Sequence, residues 1–162
     1  MPRDHDNELA TFLRGGERHL ADFLMLGFVR CGTVTSEDGR QIKMEIAEAY
    51  AARTRTVYGV FFDERVARIG ARKHDLRGRF ISFQSSVNDR LINETGCADT
   101  PTWEAKAWMT LLDTYGMGVI CFWEPDLVKV GGGGGLLVSP YLTIENALLE
   151  RHHPILNRQW FR

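Results

Sequence analysis

The sequence predicts an α+β fold: a small three-stranded antiparallel sheet flanked by helices, preceded by a mainly helical N-terminal extension. Three stretches predict it. Between Val57 and Gly70, two short runs rich in β-branched and aromatic residues, VYGVFF and RVARIG, flank the acidic pair Asp63-Glu64. That is the pattern of a β-hairpin, with Gly70 ending its second strand. From Leu76 onward, Leu76, Phe80, Phe83, Val87 and Leu91 recur three and four residues apart, which lines one face of a helix. Val119 to Trp123 is a continuous apolar run too short for a helix, and it suits a buried strand beside the hairpin.

The remaining elements follow in chain order. Leu9, Phe12 and Leu13, then Leu20, Phe23 and Leu24, give two short amphipathic helices separated by Gly15-Gly16. Residues 28 to 53 are ambiguous: Asp38-Gly39 suits a hairpin turn, whereas Ile42 to Ala52 also reads as a helix, and a helix after Gln41 is expected. Residues 1–54 are thus taken as an extension, either a packing appendage or a device for choosing a ligand, and 55–162 as the core. Thr100-Pro101 forms an N-cap followed by proline at the first helical position. Trp108, Leu111, Leu112 and Tyr115 line that helix, and Gly116 ends it. Gly131 to Gly135 carry no side chains to pack and read as a flexible surface hairpin tip. Without a following Gly-Lys-Ser/Thr they are no P-loop. Ser139-Pro140 opens the last helix, and Pro154 ends it.

Composition narrows the function classes. The 162 residues carry a formal net charge of -1, with seven Lys/Arg against nine Asp/Glu in residues 1–54 and thirteen against twelve in the rest. Attraction to a polyanion must then come from a local patch. Such a patch exists: between Arg65 and Arg79 there are six Lys/Arg and one acid. Cys31, Cys97 and Cys121 are odd in number and widely spaced, which argues against a disulfide framework or a CxxC-type metal site and points to a reducing cytoplasm. The polar N-terminus shows no signal peptide, and no apolar run approaches the roughly 20 residues of a membrane span.

The hairpin, the helix after it and the C-terminal segment together resemble the GIY-YIG nuclease superfamily, most of all its compact type II restriction endonucleases. Thr56-Val57-Tyr58 stands for the first triplet, Arg68-Ile69-Gly70 for the second, and Leu76-Arg77-Gly78-Arg79 for the helix motif. Glu145, with Leu148 and Leu149 behind it and Pro154 and Asn157 downstream, follows the family's order. The likeness spans about two thirds of the chain. One departure stands out: Arg68 occupies the place of the second motif tyrosine.

The resemblance implies a metal-dependent DNA endonuclease that hydrolyses phosphodiester bonds. It implies catalytic roles for Tyr58, Arg68, Arg79, Glu145 and Asn157, with Glu145 holding Mg²⁺ (Mn²⁺ as a substitute). Tyr58 would take the proton from water, a role arginine cannot fill because it stays protonated, and Arg79 would bind phosphate through its planar fork. Asn157 would fold back to hold the site by hydrogen bonds. Arg72, Lys73 and Arg77 are expected on neighbouring phosphates. Double-stranded DNA is the expected partner, and a homodimer the simplest way to cut both strands. The alternatives are a homing or repair nuclease, or a catalytically silent DNA-binding or regulatory module that kept the fold.

Overall fold

The computed structural model describes residues 2–96 and 98–160, which leaves Cys97 outside the described residues. Its centre is one antiparallel sheet of five strands: β1 (Val29–Glu37), β2 (Gln41–Ile46), β3 (Thr56–Phe62), β4 (Arg65–Arg72) and β5 (Met117–Trp123). They lie in the order β2-β1-β5-β3-β4. The helices are α1 (His5–Leu13), α2 (Leu20–Leu26), α3 (Leu76–Ile92), α4 (Thr102–Tyr115) and α5 (Tyr141–His152). A separate ribbon, β6 (Val128–Val130) with β7 (Leu136–Val138), carries Gly131 to Gly135 at its tip. Among the described residues no helix is long and apolar enough to cross a membrane.

The three expected strands are present as β5, β3 and β4, but the sheet has five. Residues 29–46 form a hairpin that pairs with β5 through β1, in place of the expected helix after Gln41. The turn decides it: Asp38 and Gly39 have φ of 53° and 67°, two consecutive left-handed residues in the three-residue turn between the paired Glu37 and Gln41. Beyond the turn, Ile42 and Met44 alternate with Lys43 and Glu45, and the apolar pair is buried while the charged pair is exposed. That period of two belongs to a strand. Two consecutive left-handed residues recur at Asp63 and Glu64, with φ of 50° and 60°. Gly70 does not end its strand, which continues to Arg72. Pro101, not Thr100, sits at the N-cap of α4, because the Thr100 hydroxyl is turned to Ser86 at 2.8 Å.

Both faces of the sheet are covered, which explains why VYGVFF is apolar throughout instead of alternating. Tyr58, Val60 and Phe62 pack against Leu76, Phe80, Phe83 and Val87 of α3 and Trp108 and Leu111 of α4. Val57, Phe61 and Ile69 face the other way, onto Leu20 and Phe23 of α2 and Leu148 and Leu149 of α5. Each such side chain contributes about 1.5–3 kcal/mol on burial.

Side-chain amides occupy both outer strands. On β2, Asn88 accepts from the Ile42 N–H at 2.8 Å and donates to the Ile42 carbonyl at 2.9 Å, and Gln84 accepts from Met44 at 2.7 Å. On β4, Asn157 does the same to Ile69, at 2.9 and 2.6 Å. Leu156 adds a backbone bond to Ala67 at 2.8 Å. The segment after α5 is therefore fastened along β4.

On the far side of β4, His152 of α5 packs edge-on against His19, with ring centroids 5.0 Å apart, and 5.1 Å from Phe23. Burial pushes the His152 imidazole down to about 4, with His19 and Arg151 adding to the effect. In the unfolded chain it titrates near 6.5, so the unfolded state takes up the proton first and stability falls as pH drops from about 6.5 towards 4. Urea midpoints measured at about pH 7.5 and about pH 5 should therefore diverge, and His152→Leu should lose less of its midpoint over that interval than the parent chain.

Candidate active site

The site grows from one strand pair. Tyr58 on β3 is registered against Gly70 on β4, and its buried ring lies across the glycine. A Cβ at position 70 would fall inside the phenol. The ring is held from the other side by Phe80 of α3, edge-on at 4.9 Å between centroids. Its hydroxyl accepts a hydrogen bond from Arg79 Nε at 3.0 Å. The start of α3 is fixed by Asp75, whose carboxylate accepts from the Gly78 N–H at 2.7 Å, and this sets the rotation that turns Arg79 towards Tyr58.

Arg68, one strand pair further along β4, completes the group. Its guanidinium lies 4.2 Å from the centre of the Phe83 ring, and that of Arg79 lies 5.2 Å from the same ring. Arg68 Nη1 donates to the Leu156 carbonyl at 3.0 Å. Burial pushes the Tyr58 hydroxyl up, but the charges of Arg68 and Arg79, with the hydrogen bonds from them, outweigh it and bring it below the usual tyrosine range. Arg79 is in turn held charged by Tyr58, against burial, with Glu104 and Glu145 adding to the effect.

A cleft of about 580 Å³ opens beside these groups, lined by Arg68, Arg79, Phe83, Asn157, Arg158 and Leu149 among others. Tyr58 lies beneath its wall, behind Arg79. Glu145 is 1% exposed and sits one helical turn before Leu149, on the same face of α5. Of the expected site residues, Arg68, Arg79 and Asn157 are thus on the cleft, and Tyr58 and Glu145 border it. Arg72, Lys73 and Arg77 are not brought there. Arg77 pairs with Glu48 and lines a different groove, beside Arg30, while Arg72 Nε donates to the Asp75 carbonyl at 3.3 Å and Lys73 is exposed.

Three charged residues at the cleft were not expected from the sequence. Arg158 and Asp99 line it, and Glu104, at the start of α4, is fully buried behind Arg68 and Arg158. Glu104 had a signal. It precedes Trp108 by four residues and Leu111 by seven, which places a carboxylate on the apolar face of a helix.

The residues suit a hydrated hard cation. Among the described residues no three His, Cys, Asp or Glu side chains group into a protein-made cage. Two buried carboxylates lie beside the cleft, Glu104 and Glu145, and so small a set of protein oxygens fits an ion that keeps several waters and takes substrate oxygens, as Mg²⁺ does.

No family model matches the chain, and no curated protein matches it. Two solved structures share its fold. A mutant of bacteriophage T4 EndoII superposes with a TM-score of 0.61 at 13% identity, covering 86% of this chain and 99% of that one. The restriction endonuclease HPY188I in complex with product DNA superposes with a TM-score of 0.52 at 13% identity, covering 93% and 89%. Those alignments span most of the chain, so the likeness is to its overall fold.

The tyrosine on its glycine is testable without any substrate. Gly70→Ala should destabilise the chain by about 1–3 kcal/mol, the range for overpacking, as the ring is driven off the strand. It should also raise the titration of Tyr58 as the Arg79 bond is lost, measured by ultraviolet difference against Tyr58→Phe.

Proposed function

We propose that this chain is a DNA endonuclease of the GIY-YIG kind, hydrolysing phosphodiester bonds with the help of Mg²⁺ or Mn²⁺. The observation that carries the proposal is the buried Tyr58 hydroxyl, flanked by two guanidiniums at the wall of a cleft and shifted towards its phenolate. A phenol used only for packing needs no such cations. Support also comes from the ordered sequence motifs and from the fold held in common with two endonucleases, one of them bound to product DNA.

In this reading a DNA phosphate enters the cleft and meets Arg79 and Arg68. Arg79 turns part of its fork to the phosphate, and Tyr58, whose ionisation both arginines favour against burial, accepts a proton from the attacking water. The water oxygen bonds to phosphorus, the bond to the leaving sugar oxygen breaks, and that oxygen takes its proton from solvent. The two guanidiniums offset the negative charge that builds on the phosphoryl oxygens. Asn157, bonded to both backbone groups of Ile69, keeps β4 and hence Arg68 in register. Glu145 would hold the cation, which when bound supplies electrophilic assistance to the scissile phosphate. Arg68 in the tyrosine position is compatible with this scheme because it supplies charge and takes no proton.

Plasmid nicking with and without Mg²⁺ tests the activity, and absence of nicking with either metal would make the chain a silent relative. Within an active enzyme, Tyr58→Phe should lose cleavage by a factor on the order of a hundred or more, the range of a positioned general base. Arg68→Lys should keep measurable activity, since a point charge partly replaces the guanidinium. Single-turnover rates should rise with pH and level off below about 10, the ordinary tyrosine value, and this rise should vanish in Tyr58→Phe. An active Phe variant would move the proton transfer elsewhere.

Glu145→Ala should abolish cleavage while DNA binding in Ca²⁺ persists, as measured by mobility shift. Full activity in that variant would remove Glu145 from the site.

A further inference from the structure

The cleft carries three arginines, Arg68, Arg79 and Arg158, and one carboxylate outside the motif residues serves them. Glu104 is fully buried, and its Oε1 lies 3.4 Å from Arg68 Nη1 and 3.4 Å from Arg158 Nε. Its Oε2 is buried with no hydrogen-bond partner. The Arg68 side chain is 11% exposed, that of Arg158 46%.

A carboxylate so deep in the protein is unfavourable unless cations compensate it, and a half-satisfied one is a poor way to gain stability. Its place is explained by what it does to Arg68. A tyrosine at position 68 would need no counter-ion, whereas a guanidinium packed between Phe83 and the Leu156 carbonyl does. Two guanidiniums also share the Phe83 ring and repel each other, and Glu104 sits where it offsets both. It lies outside the cleft lining, on the far side of the arginines, so a phosphate in the cleft meets their guanidiniums before its carboxylate, whereas Asp99 is the acid on the lining itself.

We infer that Glu104 is a positioning residue of the proposed nuclease site, paired with the Arg68 departure: it orients Arg68 and Arg158 as a preset fork for the DNA phosphate. The inference rests on the nuclease reading for its effect on rate, while the pairing itself does not depend on that reading. Arg158, half exposed at the mouth, meets the substrate first, and Arg68, nearly buried, meets the phosphate at the reacting end.

A double-mutant cycle tests it. Glu104→Gln should slow single-turnover cleavage by about a hundredfold, the scale on which small misplacements of reacting groups act, with far less change in DNA affinity. In an Arg68→Tyr background the same substitution should cost at least tenfold less, because of the two arginines that Glu104 positions only the half-exposed Arg158 is left. Equal losses in both backgrounds would overturn the proposal and leave Glu104 a structural residue. The NMR signal of the Arg68 Nε–H, which is buried and shielded from exchange, should be sharp in the parent chain and broadened in Glu104→Gln. An unchanged signal counts against the proposal. If Glu104→Gln alone does not fold, folding restored by Arg68→Tyr supports the pairing, and a double variant that stays unfolded overturns it. A parent chain that cuts no DNA would refute the nuclease reading, and the NMR and folding results would still decide the pairing.

Discussion

A phenol ring lying flat on a glycine is the constraint around which this molecule is arranged. Tyr58 reaches Arg79 only because position 70 has no side chain, and that contact ties the β3–β4 hairpin to α3. The glycine gives up intrinsic strand propensity, by roughly 0.5–1 kcal/mol relative to alanine, for access to that one geometry. Everything placed around the ring follows: Phe80 closes it from the helix side, Phe83 carries the two guanidiniums, and the α3 cap fixes how far Arg79 extends.

The charges are costly where they are. Arg68, Glu104 and Glu145 are buried, and removing one partner of such a group typically costs about 3–5 kcal/mol, whereas apolar residues of the same shape would often be as stable or more so. A chain selected for stability alone would not keep them. They are concentrated beside β4, between that strand, the start of α4 and α5, while apolar side chains pack both faces of the sheet. The fold thus holds a small polar site at the margin of two apolar cores that stabilise it.

Much of this was legible in the sequence, for identifiable reasons. The β3–β4 hairpin announced itself through its two-residue turn, α3 through its three-four spacing, and β5 through an apolar run too short for anything else. The order of Tyr58, Gly70, Arg79, Glu145 and Asn157 carried the site. The β1–β2 hairpin was missed although Asp38-Gly39 is a strong turn signal, because six residues of β2 are too few for their alternation to outweigh the helix formers that follow. Arg77 is expected, with Arg72 and Lys73, on phosphates beside the one that Arg79 binds, yet residues two apart on a helix project from different sides, and Arg77 and Arg79 face different grooves. Glu104 was passed over because an acid in the first turn of a helix has an ordinary explanation in the helix dipole. Only tertiary packing showed that its face of α4 is the buried one. The hydrogen bonds of Asn157 to Ile69 join residues 88 apart in sequence, beyond the reach of any local pattern.

The two asparagines that grip the outer strands have a consequence for assembly. A free sheet edge is a template on which a strand of another molecule can be laid, and proteins with open edges associate or aggregate through them. Here Asn88 and Gln84 occupy Ile42 and the Met44 N–H of β2, and Asn157 with Leu156 occupies Ile69 and the Ala67 carbonyl of β4, so the middle of each edge is already engaged. The sheet cannot be prolonged from one molecule into the next without breaking those bonds. On the β4 side, breaking them would also release the segment that holds Arg68. Strand addition at either edge of the main sheet therefore competes directly with the bonds that keep the site in register.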